Sequence, residues 1–423
     1  MMTTNEQSTT ELLIAAKKAS RVLAASSGEI RAAAIRAIAD AVDAGHEEIL
    51  AANALDVEAG KVSGLDDALI DRLTLTPDRI RGIAEGARAV ADLEDPVDEE
   101  LEGHRLDNGL EIRKVRRPLG VVAVVYEARP NVTIDSAVLC LRSANAAVLR
   151  GSSTAAHSNA VLARLASAAI TASGLPAAAV TLIGGGRREE LQELGTATDL
   201  VDLIIPRGGA GLKKALEAVA TVPVIYAAAG NCHVYVDAEA DLAMAQAIIV
   251  NAKVQRPGVC NAAETLLVHE SVAAEFLPTA LAALAAEGVE LRCDGRAAAL
   301  AGSGVEVVSA TDEDFATEFL APILSIAVVD SADAAIAHIG RFGSGHSEAV
   351  VTSDRDVARR FQAEVDAACV YVNASTRFTD GAEFGMGAEI GISTQKLHAR
   401  GPIGLRELTT FTYLIDGDGQ IRG

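Results

Sequence analysis

The sequence predicts an α/β protein built on parallel sheets, and three features point there. From Pro118 onward strand-like runs alternate with helical ones across short turns, and a second such series starts at His233. Half of the residues are hydrophobic and many are alanine, which favours helices packed closely on sheets. At 423 residues the chain exceeds one ordinary core, so two or three domains are expected.

A helical layer should reach to about residue 95. Ser8-Thr-Thr-Glu11 has capping-box spacing, and Thr76-Pro77-Asp78 sets a proline at the first position of a later helix. Charged faces such as Lys17-Lys18 and Glu47-Glu48 read as solvated surface. Leu101–Leu106, the turn Asp107-Asn-Gly109 and Leu110–Val115 alternate apolar and polar around a turn signal, which predicts a hairpin. A lone hairpin is marginally stable in water, so this one needs another surface to lie on. The first parallel series places strands at Leu119–Tyr126, Ala146–Arg150, Val180–Ile183, Val201–Ile205 and Val222–Tyr226. Its helices fall at Val132–Ser143, Ala155–Ser173, Arg187–Gly195 and Ala210–Val219. The second series has strands at Glu264–His269, Ile323–Val329, Ala349–Thr352 and Cys369–Asn373, with helices at Val272–Ala286 and Ala332–Ile339. No sequence repeat relates the two halves. Ligands on such sheets bind beyond the carboxyl ends of the strands, so the active site is expected in the crevice between the halves.

The 37 basic and 58 acidic residues give a formal charge of −21, which repels nucleic acid and anionic membranes. An anionic substrate therefore needs a local basic pocket. Cys140, Cys232, Cys260, Cys293 and Cys369 lie far apart, with no Cys-x-x-Cys pair and an odd total. Neither a zinc site nor a disulfide framework is indicated, which fits a reducing cytosol. The stretch Met1-Met-Thr-Thr-Asn-Glu-Gln-Ser8 is polar, and no apolar run approaches membrane-spanning length; a soluble cytoplasmic protein is expected.

The chemistry is expected at Cys260. In Asn251-Ala-Lys-Val-Gln-Arg-Pro-Gly-Val-Cys260, Lys253 and Arg256 bring positive charge toward the thiol, and Pro257-Gly258 turns the chain just before it. Nearby cations or backbone N–H groups lower a cysteine's pKa from about 8.5 toward neutrality, and the thiolate is the nucleophile. The competing reading of any single cysteine is a small buried hydrophobe.

This run resembles the active-site segment of the gamma-glutamyl phosphate reductase family, a branch of the aldehyde dehydrogenase superfamily. The likeness extends over Tyr126-Glu-Ala-Arg-Pro-Asn131, Ile205-Pro-Arg-Gly-Gly-Ala-Gly211, Gly230-Asn-Cys-His-Val-Tyr-Val-Asp237, Ser344-Gly-His-Ser-Glu348 and Asn373-Ala-Ser-Thr-Arg-Phe-Thr-Asp380. The fold it implies is aldehyde dehydrogenase-like: two Rossmann-like parallel-sheet domains plus a small β oligomerisation flap. Residues 1–98 with 117–232 would bind nucleotide, and 233–403 would form the catalytic domain. Residues 99–116 with 404–423 would supply the flap, where the resemblance pairs the hairpin with a C-terminal strand, Glu407–Ile415, across subunits. A hairpin folded back on its own subunit is the alternative.

The resemblance also assigns roles. Asn131 matches an oxyanion-hole asparagine, whose side chain would act with the Cys260 backbone N–H; one such donor is typically worth ~3 kcal/mol. By itself, Pro130-Asn131 before a helix reads as a cap. Gly208, Gly209 and Gly211 resemble a nucleotide-contacting glycine loop, although a glycine-rich strand-to-helix turn is as often only a turn. Arg150 falls where a basic side chain approaches the adenosine ribose, and is a candidate for a 2′-phosphate or for a surface salt bridge. Glu318 aligns with a glutamate holding the nicotinamide ribose hydroxyls; an exposed acid is the alternative. Arg129 and Arg256 are candidates for the substrate phosphate and Arg377 for its α-carboxylate. His233, His269 and His346 read more readily as structural than as proton relays.

Hydrolytic aldehyde dehydrogenases carry a water-activating glutamate just after the strand ending at Ile225, whereas this chain has Tyr226. The reductases often have Glu-Thr-Gly there, so Tyr226 departs from their pattern too. The implied activity is NADPH-dependent reduction of L-glutamyl 5-phosphate to L-glutamate 5-semialdehyde through a Cys260 thioester, in proline biosynthesis, without a metal. The resemblance further implies a homo-oligomer, dimer or tetramer, and functional coupling to glutamate 5-kinase. The alternatives are a hydrolytic aldehyde dehydrogenase on another small aldehyde and a catalytically silent nucleotide-binding oligomer.

Overall fold

The structure, a computed structural model, describes residues 8–184, 186–187, 189–226 and 229–422. Five helices come first: α1 (Thr9–Ala25), α2 (Gly28–Ala44), α3 (His46–Val62), α4 (Asp67–Leu73) and α5 (Pro77–Asp92). Ser8 and Glu11 form the expected capping box, and Thr76 caps α5 with Pro77 in its first turn.

The hairpin follows as β1 (Glu100–Arg105) and β2 (Glu111–Pro118). Its partner corrects the expectation of pairing across subunits. The C-terminal strand, Thr409–Asp416, lies antiparallel on β2 of the same chain, from Thr409 opposite Pro118 to Asp416 opposite Glu111. Eight paired residues give the hairpin the third strand it needs without a second copy.

A four-stranded parallel sheet comes next, with strands β3 (Val121–Tyr126), β4 (Ala146–Gly151), β5 (Val180–Leu182) and β6 (Leu203–Arg207) in the order β5-β4-β3-β6. It alternates with α6 (Val132–Arg142), α7 (Ala156–Ala172), α8 (Glu189–Thr196) and α9 (Ala210–Glu217). All six residues of β3 are buried, as a central parallel strand requires. The strand expected at Val222–Tyr226 is reduced to one parallel bridge, Ile204 to Val224. Pro223 has no N–H to offer a ladder; only its carbonyl takes part, accepting the Ile204 N–H.

The second sheet has seven strands, β7 (Cys232–Val236), β8 (Ala263–His269), β9 (Glu290–Cys293), β10 (Val308–Ser309), β11 (Ile323–Val329), β12 (Ser347–Val351) and β13 (Cys369–Val372), ordered β10-β9-β11-β8-β7-β12-β13. All its pairings are parallel. Between the strands run α10 (Leu242–Val254), α11 (Glu270–Ala286), α12 (Gly295–Ala298), α13 (Asp312–Phe315), α14 (Ala332–Phe342) and α15 (Arg355–Glu364). Alternate side chains feed two cores. Val234, Leu266 and Ile326 pack with the apolar faces of α10 and α11, while Tyr235, Leu267 and Ala327 pack with Ile339 of α14 and Phe361 of α15. A two-stranded sheet, β14 (Ile392–Ser393) with β15 (Gly401–Pro402), precedes the C-terminal strand, β16 (Thr409–Asp416).

The chain divides into two compact units. One holds the chain up to Tyr226, Met386–Gly391 and the stretch from Ile403 on; the other holds the remainder, including the seven-stranded sheet.

Candidate active site

In the second unit α10 ends at Val254, and Pro257, lacking an N–H, prevents its continuation. The Ala262 N–H closes on the Val259 carbonyl at 3.1 Å, and β8 begins one residue later, leaving Cys260 on the turn. Cys260 is half-buried, whereas the other four cysteines are buried. Burial pushes the thiols of Cys140 and Cys293 up to about 12, and that of Cys232 well above its usual value. Of the five, Cys260 is the one placed to react.

The turn is fixed through its backbone. The Cys232 thiol donates to the Cys260 carbonyl at 3.2 Å. Gly230 packs so closely that a Cβ there would lie 1.5 Å from the same oxygen, so no side chain fits at that position. Asn261 ties the next residue to the segment after β13: its Nδ2 donates to the Arg377 and Thr379 carbonyls at 3.3 and 2.9 Å, and the Thr376 hydroxyl donates to the Asn261 carbonyl at 2.7 Å.

The expected charges are arranged differently. Lys253 does not lend the thiol a free positive charge: it is fully buried and paired with Glu264 at 2.5 Å. Arg256 is exposed on the turn. Half-buried Arg377 donates from Nε to the Gln255 side chain at 2.7 Å. Burial lowers the Arg377 pKa, and repulsion from Arg256 lowers it further. The two arginines expected at opposite ends of a substrate thus lie within each other's field. Glu318 is half-buried and accepts the Gly230 N–H at 2.6 Å; desolvation raises its pKa against that bond.

The histidines are structural in their contacts. His269 caps α11, accepting the Ser271 N–H. His233 is buried against Glu348, their side chains 2.9 Å apart, and His346 lies beside Ser347 with burial depressing its pKa to about 4.

In the first unit Asn131 stands just before α6 with helical backbone angles and makes no cap. Its Nδ2 donates instead to Asp135 at 2.8 Å. Burial pushes the Asp135 carboxyl up to about 6, outweighing Asn131 and the field of Arg207. Arg129 is half-buried, its carbonyl accepting the Val132 N–H. Arg150 leans on Glu190 at 3.6 Å and donates to the Arg187 carbonyl at 2.9 Å. Gly208 and Gly209 follow β6, and the Gly209 N–H donates to the exposed Glu127 carboxylate at 2.8 Å. A Cβ on Gly208 would come within 2.6 Å of that carboxylate, while Gly211 faces open space. The Gly209 amide thus already donates to a carboxylate oxygen, the kind of acceptor a phosphate also presents. Tyr226 is half-buried, with the Lys213 ammonium 5.5 Å from its ring centre.

The model of the aldehyde dehydrogenase family matches residues 1–294 and 283–389. Gamma-glutamyl phosphate reductase of Heliobacterium modesticaldum is 55% identical over 407 residues, covering 96% of this chain and 97% of that protein. The Thermobifida fusca protein of the same name is 51% identical over 421 residues and matches at full length in both chains. The chain belongs to the gamma-glutamyl phosphate reductases of the aldehyde dehydrogenase family. The crystal structure of a reductase of this family from Thermotoga maritima superposes with a TM-score of 0.95 at 43% identity, covering 99% of this chain and 100% of that one. As an aldehyde dehydrogenase family member, the chain uses a nicotinamide cofactor and a small-molecule substrate. No helix among the described residues is long and apolar enough to cross a membrane.

Sequence reasoning passed over Gly230, Glu264, Asn261, Asp135 and Glu127. Glu264 carried a signal, since an acid at the head of the apolar run Thr265-Leu-Leu-Val268 needs a partner once buried. Gly230 heads one of the motifs of the resemblance, but its close contact comes from a residue 30 positions away in the chain and is not legible there.

Proposed function

We propose that this chain reduces L-glutamyl 5-phosphate to L-glutamate 5-semialdehyde and phosphate, using NADPH, as a step of proline biosynthesis. The observation that carries this reading is the half-buried Cys260 turn, locked by Gly230 and Cys232, in a chain more than half identical to gamma-glutamyl phosphate reductases over nearly its whole length.

The Cys260 thiolate attacks the acyl carbon and the phosphate leaves, forming a thioester on the enzyme. Arg129 and Arg256 offset the charge of the departing phosphate, and Arg377 orients the substrate. When bound, the cofactor supplies a hydride to the thioester carbon. The oxyanion so formed is held by the Asn131 side chain and the Cys260 N–H, and its collapse frees the aldehyde and restores the thiolate. Glu318 would hold the nicotinamide ribose. Arg150 would meet a 2′-phosphate, and the Gly208, Gly209 and Gly211 loop would offer backbone N–H groups to the pyrophosphate.

Residues 1–98 and 117–232 form the nucleotide-binding domain in this reading, and 233–403 the catalytic one. The flap, 99–116 with 404–423, exposes Phe411, Tyr413 and Ile415 at 48, 53 and 59% on alternate positions of β16, which supports contact with another copy and hence a homo-oligomer. A cytoplasmic site and functional coupling to glutamate 5-kinase complete the proposal, since an acyl phosphate is short-lived in water.

Steady-state oxidation of the semialdehyde, with and without phosphate and with each nicotinamide nucleotide, tests the reading. The expected result is a rate that requires phosphate or arsenate and favours NADP. Full-rate oxidation without phosphate would refute it.

A further inference from the structure

Lys253 and Glu264 flank the Cys260 turn in sequence, one near the end of α10 and the other at the start of β8. Their ammonium and carboxylate meet at 2.5 Å with both side chains fully buried. Such a pair is weak evidence for stability, because apolar residues of similar volume often serve as well. A second bond gives it a different use. The free oxygen of Glu264, Oε1, accepts the Leu320 N–H at 3.2 Å.

Leu320 has φ +52, a left-handed conformation that a bulky side chain keeps only when its surroundings impose it. Its carbonyl faces Gly258 of the Cys260 turn, 3.7 Å from where a Cβ would stand. Two residues earlier, Glu318 accepts the N–H of Gly230, the residue packed against the Cys260 carbonyl. Glu264 thus pins one end of a short loop whose other end carries the Glu318 carboxylate. Desolvation raises the Glu264 pKa to about 7, so its charge depends on the adjacent ammonium.

We infer that Glu264 is a positioning residue for the nicotinamide nucleotide: its Oε1 fixes the Leu320 amide, and through it the Glu318 carboxylate, while Lys253 keeps Glu264 ionised and aimed. The inference rests on the reading of Glu318 as a ribose ligand.

Two double variants of the full chain separate positioning from bulk stability. K253M/E264Q keeps the volume and an acceptor for Leu320, and K253M/E264L keeps the volume without the acceptor. NADPH dissociation constants come from nucleotide fluorescence at a temperature where circular dichroism shows both variants folded, alongside KM, kcat and melting. Both are expected to melt within ~5 °C of the parent. K253M/E264Q should bind NADPH within about threefold of the parent, and K253M/E264L about tenfold more weakly, with KM for NADPH moving more than kcat. Should leucine pack too poorly to fold, K253M/E264M repeats the acceptor-free arm. Equal binding by the two variants, or binding that simply tracks melting, overturns the inference. Binding indifferent to Glu318→Gln overturns the ribose reading and the inference with it.

Discussion

The turns that carry Cys260 and Asn131 each follow a break in regular structure and each present one short polar side chain, but they are held in opposite ways. Cys260 is held by its backbone, through the Cys232 thiol, the bare Gly230 backbone and the bonds of Asn261. Asn131 is held by its side chain, through a carboxyl whose pKa burial pushes up to about 6. The glycine loop shares with Asn131 a bond to a carboxyl, its Gly209 backbone amide donating to exposed Glu127. A nucleophile, the role proposed for Cys260, must return to one position after each turnover, and backbone contacts would supply that. Groups that exchange partners as ligands come and go are better held by single charged bonds.

The contrast predicts a descending series of effects. Cys260→Ser should cut semialdehyde oxidation by ~10³-fold or more while leaving the melting temperature near its parent value, because an alcohol lacks the accessible anion. Turnover within tenfold of the parent would remove the nucleophile assignment. Gly230→Ala should come next, since its Cβ would collide with backbone that has no rotamer to change. A loss of roughly 3 kcal/mol of stability and about 100-fold in kcat is expected; an unchanged denaturant midpoint would show that the turn is softer than described.

Asn131→Ala should lower kcat by ~10²-fold with little change in KM, the signature of a bond made in the transition state. Equal losses in both constants would point to ground-state binding. Its partner gives a pH test. The folded pKa of Asp135 is raised from 3.8 to about 6, so the group's contribution to stability is full below about 4 and lost as pH rises through about 6. Asp135→Asn should therefore match the parent near pH 4 and exceed it by about 1 kcal/mol at pH 7.5, a figure discounted because the side chain keeps some contact with solvent. A gain independent of pH would remove burial as the cause. The smallest effect is expected at Glu127→Gln. Removing the anion that competes for the Gly209 amide should tighten nucleotide binding about threefold by calorimetry, and weaker binding would make Glu127 a ligand rather than a competitor.

Most of the parallel framework was legible because strands such as Ile323–Val329 and Val121–Tyr126 are continuous apolar runs between turn signals. Val222–Tyr226 misled for the same reason: it is apolar, yet a single proline leaves it one bridge. The hairpin was readable from Asn108-Gly109, whereas the chain that would supply its third strand was not, since Thr409–Asp416 alternates equally well for either copy. At the site, Cys260 stood out through its neighbours in sequence. Lys253 was misjudged by the same logic. Proximity along the chain suggested a cation for the thiol, and the fold instead set Glu264 against it. A partner brought in by chain reversal, such as Gly230 beneath Cys260, leaves no periodic trace, whereas Asp135 lies four residues after Asn131 at helical spacing and was readable as its neighbour.

The most direct test of the central claim is a single-turnover reaction of the full chain with the semialdehyde and NADP in the absence of phosphate. Expected are one equivalent of NADPH per chain, a mass gain of one glutamyl group confined to the Cys260 peptide, and a stall relieved by adding phosphate. Continuous turnover without phosphate, or a burst with no acyl group on Cys260, would contradict the account.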